Sequence, residues 1–188
     1  MPSWKIPGTA LTGQREDAPE LEERFSAMFL GGDISLSQVA QITGLEPYTV
    51  QNWVKRDFLS PPRHKRYTLR QLCRVMIIAM LKAALPMERI CALLGYVNGH
   101  LDDEGDDLID DTLLYFAFVR LAARTEGTQI SDEDLRQALS HYQAPTADAQ
   151  VRVEQVLRIM LTAWRAAELT RRAEEMTAAL SLQKGEST

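Results

Sequence analysis

A glycine followed three residues later by a proline sits between two short amphipathic runs, and this arrangement constrains the fold of the chain more than any other feature. Ser35 and Gln38 have the S-x-x-Q spacing of a capping box, so a helix is expected from there to about Thr43, with Val39, Ala40 and Ile42 apolar. Gly44-Leu45 then makes a tight turn. Glu46-Pro47 restarts the chain as a helix, because proline at a first-turn position loses no hydrogen bond. In this second helix, Pro47 to Arg56, Val50, Trp53 and Val54 share one face at i, i+3, i+4 spacing. Tyr48, Gln51, Asn52 and Lys55 fall on the other, flanked by Thr49 and Arg56. The first set is core and the second faces solvent.

Asp57 to Pro62 leads away from this pair, and Pro61-Pro62 forbids helix there. Arg63-His64-Lys65-Arg66-Tyr67 follows as a basic loop, expected to form a small β-turn or wing. A third helix, capped by Thr68 or Tyr67, carries Leu69, Leu72, Cys73, Met76, Ile77, Met80 and Leu81 at core spacing. Its Arg70 and Arg74 are one turn apart and are expected to extend the basic surface. Pro86 opens a fourth helix through Leu94, closed by Gly95.

Charge follows the same division. The chain has 188 residues and a net charge of −5, distributed as −3 over residues 1–33, +6 over 34–99 and −8 over 100–188. A basic block inside an acidic chain is the electrostatic footprint of one face that meets phosphates. Side chains of the Tyr, Gln, Asn, Lys and Arg type bond base edges and phosphates in a major groove, so the outer face of residues 47–56 is a candidate reading surface. The candidate DNA contacts are Tyr48, Thr49, Gln51, Asn52, Lys55, Arg56, Arg63, His64, Lys65, Arg66, Tyr67 and Arg70.

Before this block, residues 1–19 are rich in proline, glycine and acid and are expected to be an extended or loosely held arm. A short helix over Glu20 to Phe29 ends at Gly31-Gly32-Asp33. Beyond residue 99, the acidic run Asp102 to Asp107 with Asp110-Asp111 fails the calcium-loop pattern, since the sixth place from Asp102 holds Asp107 and the twelfth Leu113. A mobile acidic loop is expected instead. Leu113 to Ala123 is apolar almost all round and is expected as a buried helix. Ser131 and Asp134 cap a short helix to about Tyr142, and a last helix runs from about Thr146 to Leu182 without proline or glycine. Its apolar stripe suggests pairing with a second copy through Val153, Leu157, Met160 and Trp164, although Arg171 and Glu174 break one heptad register, so packing within the chain is the competing expectation.

The run from Ile34 to Leu72 resembles the DNA-binding head of MerR-type transcriptional regulators. Phe58-Leu59-Ser60-Pro61, the Arg66-Tyr67 exit and Leu85-Pro86-Met87-Glu88-Arg89-Ile90 fall in matching places. Asn52-Trp53-Val54-Lys55-Arg56, Lys65-Arg66-Tyr67 and Leu94-Gly95-Tyr96-Val97-Asn98-Gly99 look like an uncharacterised bacterial family with a MerR-like head. The resemblance covers roughly residues 20–120. It implies a mainly α fold: a winged helix-turn-helix domain over residues 20–99, then an all-helical dimerisation or effector region over 100–188. It also implies a dimer on a palindromic site through an antiparallel coiled coil of terminal helices. The recognition positions correspond to Tyr48, Gln51 and Asn52, and Tyr48 and Gln51 stand where the family typically has Arg.

The expected partners are therefore double-stranded DNA, a second copy and a small-molecule effector of unknown identity, with no membrane and no cofactor. Tyr115, Phe116, Phe118, Tyr142, Met160, Trp164 and Met176 could line an effector pocket, although such residues at helical spacing are more often core. His64, His100 and His141 are scattered and no nucleotide, metalloprotease or nucleophile motif is present, so an enzyme is not expected. Cys73 and Cys91 lack metal-ligand spacing. The chain has no apolar run of about 18 residues and its first residues lack a signal peptide's core, so a cytoplasmic place is expected. The alternative is a protein-interaction module that reuses a helix-turn-helix fold, since fold alone does not fix function.

Overall fold

The structure is a computed structural model that describes residues 4–99, 101, 104–125 and 129–185, and it is mainly helical. Two helices form its centre. α4 (Leu69–Leu81) presents Leu72, Cys73, Val75, Met76, Ile77, Ile78 and Leu81 with no exposed surface, and α6 (Asp111–Arg124) packs along it through a similarly buried run from Leu114 to Ala122. Each large apolar side chain hidden in this way contributes roughly 1.5–3 kcal/mol. Tyr115, Phe116 and Phe118, candidates for an effector pocket, are core residues of α6 with at most 1% exposure. Tyr115 and Phe116 meet Phe25 of α1 (Leu21–Ala27), the latter edge to face at 5.8 Å.

The expected arm is instead packed. β1 (Trp4–Lys5) pairs antiparallel with β2 (Thr12–Gly13), burying Trp4 and Ile6. The Tyr115 hydroxyl donates to the Pro7 carbonyl at 2.9 Å. Gly8, at φ 72°, passes so close to α4 that a Cβ would lie 2.1 Å from the Met76 carbonyl oxygen, a site only glycine can fill. Local composition could not show that backbone contact.

Around the α4–α6 centre the remaining elements follow in chain order. β3 (Ile34–Ser35) pairs antiparallel with β4 (Arg66–Tyr67), Ile34 opposite Tyr67. α2 (Leu36–Thr43) is capped by Ser35 and closes on Gly44 at φ 71°, where the turn requires left-handed backbone. α3 (Pro47–Lys55) has proline in its first turn. α5 (Met87–Asn98) continues through Gly95 rather than ending there. Burial of Val97 and Asn98 carries it one turn further, and the Asn98 amide donates to the Ile109 carbonyl. α7 (Asp132–Ala138) begins at the Ser131–Asp134 capping box and is shorter than expected.

α8 (Ala147–Gly185) has two unlike parts. Val153, Leu157, Met160 and Trp164, expected to meet a second copy, are at most 6% exposed and belong to the chain's own core. Trp164 meets Phe118 edge to face at 5.9 Å. That face is occupied within one chain, so it cannot form a dimer seam without unfolding. Past it, Leu169, Met176 and Leu180 are 63%, 71% and 65% exposed. Buried apolar residues from Trp4 to Trp164 form one cluster, so the compositional boundary near residue 99 is not a break in the core. Among the described residues no helix is long and apolar enough to cross a membrane.

Candidate nucleic-acid interface

α3 is anchored from beneath and open above. Val50 and Trp53 are buried, and Lys82 extends its ammonium over the Trp53 ring at 5.7 Å. At its end the Phe58 N–H donates to the Trp53 carbonyl and the Asp57 N–H to the Val54 carbonyl, the paired bonds of a Schellman motif. Asp57 takes the left-handed position at φ 57°, and the following Phe58 ring lies 5.1 Å under the Arg56 guanidinium. Tyr48 is 74% exposed, Gln51, Lys55 and Arg56 are exposed, and Thr49 and Asn52 are half-buried. No side-chain hydrogen bond among the described residues occupies Tyr48, Thr49, Gln51 or Asn52. Their donors and acceptors face outward uncommitted.

The basic turn is a second exposed element. The Arg66 N–H donates to the Arg63 carbonyl at 2.8 Å, closing a tight hairpin whose central residues are His64 at φ 49° and Lys65 at φ 61°. Positive φ at both central positions is the requirement of a type I′ turn, which glycine and asparagine meet most readily. Arg63, His64, Lys65 and Arg66 are all exposed, and Arg66 also donates to the Asp33 carbonyl at 3.2 Å. Among the described residues none of Lys55, Arg56, Arg63, Lys65 or Arg66 makes an ion pair. Ten of the twelve expected contact residues are therefore exposed or half-buried, and none of the ten makes an ion pair among the described residues.

The other two differ. Tyr67 is 2% exposed, held in the core by the pairing of β4 with β3, and its burial pushes the phenol upward. Arg70, which lines a cleft with Arg63, is half-buried and bonds Asp107 at 2.5 Å, with Asp111 at 3.8 Å from its Nε. Arg74 faces inward. Its Nε donates to the Phe58 carbonyl and its Nη1 reaches both Asp111 oxygens at 3.3 Å. The acidic segment, expected to be a mobile loop, thus supplies the counter-charges of α4. Asp110 caps α6 and Asp107 and Asp111 bind arginine, whereas Asp102 and Asp103 lie outside the described residues, as does His100.

These acids bear the cost of burial. Desolvation pushes Asp107 up to about 6, against the opposing pull of Arg70, and raises Asp111 against Arg74 and Arg70. The folded chain therefore holds a proton on Asp107 between the ordinary value of 3.8 and about 6, where the unfolded chain has released it. Stability from this group falls as pH rises through that window. Asp107→Asn, neutral throughout, is expected to unfold at higher urea than the parent at about pH 7.5, with the gap closing near about pH 4. An equal gap at both values would contradict the assignment.

Residues 27–118 match the family described as a domain of unknown function, DUF1836. The uncharacterized protein YkrK of Bacillus subtilis (strain 168) is 30% identical over 86 residues, covering 44% of this chain and 37% of that relative. Both matches support an uncharacterised bacterial family. The chain thus spans little more than a third of the curated relative's length. No solved structure matches it. The DUF1836 segment contains α3, the basic turn, Arg70 and Arg74 together with both of their acids, and leaves out the N-terminal hairpin and α8.

Among the described residues no group of His, Cys, Asp and Glu is placed to hold a metal ion. Cys73 is buried and its thiol is pushed well up by desolvation. A second group of cations, Arg15, Arg120 and Arg124, lines a cleft of its own, brought together by the fold from positions that share no motif in the sequence.

Proposed function

We propose that this protein is a sequence-specific DNA-binding transcriptional regulator that acts as a dimer. α2 and α3 serve as a MerR-like helix-turn-helix, α3 enters the major groove, and the turn from Arg63 to Arg66 is a wing on the sugar-phosphate backbone. The observation that carries this reading is the occupancy of the wing tip. Left-handed backbone costs a non-glycine residue about 1–2 kcal/mol, yet the two central positions hold His64 and Lys65 between two arginines. A turn needed only for packing would be better made by Asn-Gly. The charge retained there at the expense of stability suits phosphate contact, as do the unpaired Lys55 and Arg56 at the end of α3.

That reasoning gives a test with two readouts of opposite sign. His64→Asn combined with Lys65→Gly is expected to raise the urea midpoint while weakening binding to duplex DNA about tenfold at low salt. Unchanged DNA affinity in the stabilised variant would remove the wing from the interface.

Dimerisation moves outward along α8 from the positions first expected. Leu169, Ala173, Met176 and Leu180 are exposed and follow one another at spacings of four, three and four, a heptad seam. Arg171 lies off this seam, paired with Glu168 and Glu175. Sedimentation at micromolar concentration is expected to give a dimer that Leu169→Glu with Met176→Glu converts to monomer; a monomeric parent would end the dimer reading. The same exposed seam favours a second reading, a protein-interaction module whose partner docks there. Such an apolar interface would be largely insensitive to salt.

A further inference from the structure

Positive charge also collects in the half of the molecule whose sequence is most acidic. A cleft of about 510 Å³ opens where the turn Arg15–Glu20, the end of α6 and the residues after α7 meet, within the range of small-molecule sites. Arg15, Arg120, Arg124 and His141 line it over a floor of Ala18, Pro19 and Ala123, with Glu16 as the lining carboxylate.

The arginines differ from others on this surface. Arg24, Arg136 and Arg171 each meet a carboxylate a turn away along their own stretch of chain. Arg15 and Arg124 make no ion pair or side-chain hydrogen bond among the described residues. Arg120 has a side chain only 8% exposed and is fixed from behind, Nε donating to the Ala138 carbonyl at 3.0 Å and Nη1 to Glu22 at 3.1 Å. Its Nη2 has no partner among the described residues. Glu22 is also shared with His141, whose Nδ1 lies 3.7 Å away, so one carboxylate steadies two members of the cluster. Glu22 pairs with Arg120, Glu16 lines the cleft, and Glu133 and Asp134 lie within electrostatic reach of Arg124. Yet none of these bonds the Nη2 of Arg120 or forms an ion pair with Arg15 or Arg124, so an anion seated between the three guanidiniums would satisfy them.

We propose that this cleft binds a small amphiphilic anion, its carboxylate or phosphate between Arg15, Arg124 and the Nη2 of Arg120, and its apolar part on Ala18, Pro19 and Ala123. The site is separate from the α3 and wing surface and stands or falls independently of DNA binding.

The probe is 8-anilinonaphthalene-1-sulfonate, which joins one fixed negative charge to apolar rings. Saturable binding of one dye per chain is expected, weakened at least tenfold by Arg15→Gln with Arg124→Gln and by the single exposed reversal Arg124→Glu. Leu169→Gln with Met176→Gln, which changes the competing apolar seam of α8, is expected to leave binding intact. Displacement by hexanoate or by hexyl phosphate then identifies the preferred head group. Absence of saturable binding, or loss in the α8 variant rather than in the arginine variants, would overturn the proposal. Unchanged urea midpoints in the arginine variants separate loss of the site from loss of the fold.

Discussion

Replacing Arg56, Arg63 and Lys65 together by glutamine is expected to lower affinity for duplex DNA by about two to three orders of magnitude at about 0.1 M salt. The estimate follows from counterion release. Each phosphate neutralised contributes about 0.9 to the slope of log affinity against log salt, so losing three contacts should flatten that slope by about 2.7. All three side chains are exposed and make no ion pair among the described residues, so the substitutions strand no buried partner there and the fold should persist. The loss should be similar on every DNA sequence, because phosphates carry no base information. Gln51→Ala or Asn52→Ala should behave differently, changing the order of preferred sequences while leaving the salt slope nearly intact. Affinity and slope measured on one random and one selected duplex check both statements. An unaltered slope in the triple variant would place the DNA elsewhere or nowhere.

Arg74→Met and Asp111→Leu are each expected to destabilise the fold by about 3–5 kcal/mol, and the two together to recover most of that loss. Both side chains are buried, at 9% and 4% exposure, in the contact between α4 and α6. Removing Asp111 leaves Arg74 desolvated without its counter-ion, and removing Arg74 leaves the buried Asp111 only the more distant Arg70 at 3.8 Å. Removing both exchanges two desolvated charges for apolar volume, which is close to neutral in such sites. The raised pKa of Asp111 points the same way, because its desolvation outweighs the attraction of Arg74 and Arg70. Urea unfolding of the parent, both single variants and the double variant measures the coupling. Strictly additive losses would show that the two side chains stabilise the fold by separate contacts.

Where a local chemical rule governed the outcome, it was legible. The capping boxes at Ser35 and Ser131, proline in the first turn of α3 and the inward face of Val50 and Trp53 are all decided within a few residues of chain. The same holds for the open face of Tyr48, Gln51 and Lys55. What escaped was set by distant chain. Arg70 and Arg74 carry the composition of a phosphate surface, but acids 37 residues away pair with both of them. Tyr67 has an aromatic suited to a wing, yet its place opposite Ile34 in the strand pair buries it. The N-terminal segment has a loose composition but is gripped through Gly8 and Pro7 by α4 and α6. On α8, periodicity identified an apolar stripe without saying which chain covers it. The core claims Val153 to Trp164, and only the later stretch stays open.

The central claim is tested most directly by the affinity of the unmodified protein for random-sequence duplex DNA at several salt concentrations, read by fluorescence anisotropy. The uncompensated cations of α3 and the wing predict binding at about 50 mM salt, with log affinity falling as log salt rises at a slope worth several phosphate contacts. No binding at about 50 mM salt, or affinity indifferent to salt, would contradict the DNA-binding account and leave the exposed seam of α8 as the surface to pursue.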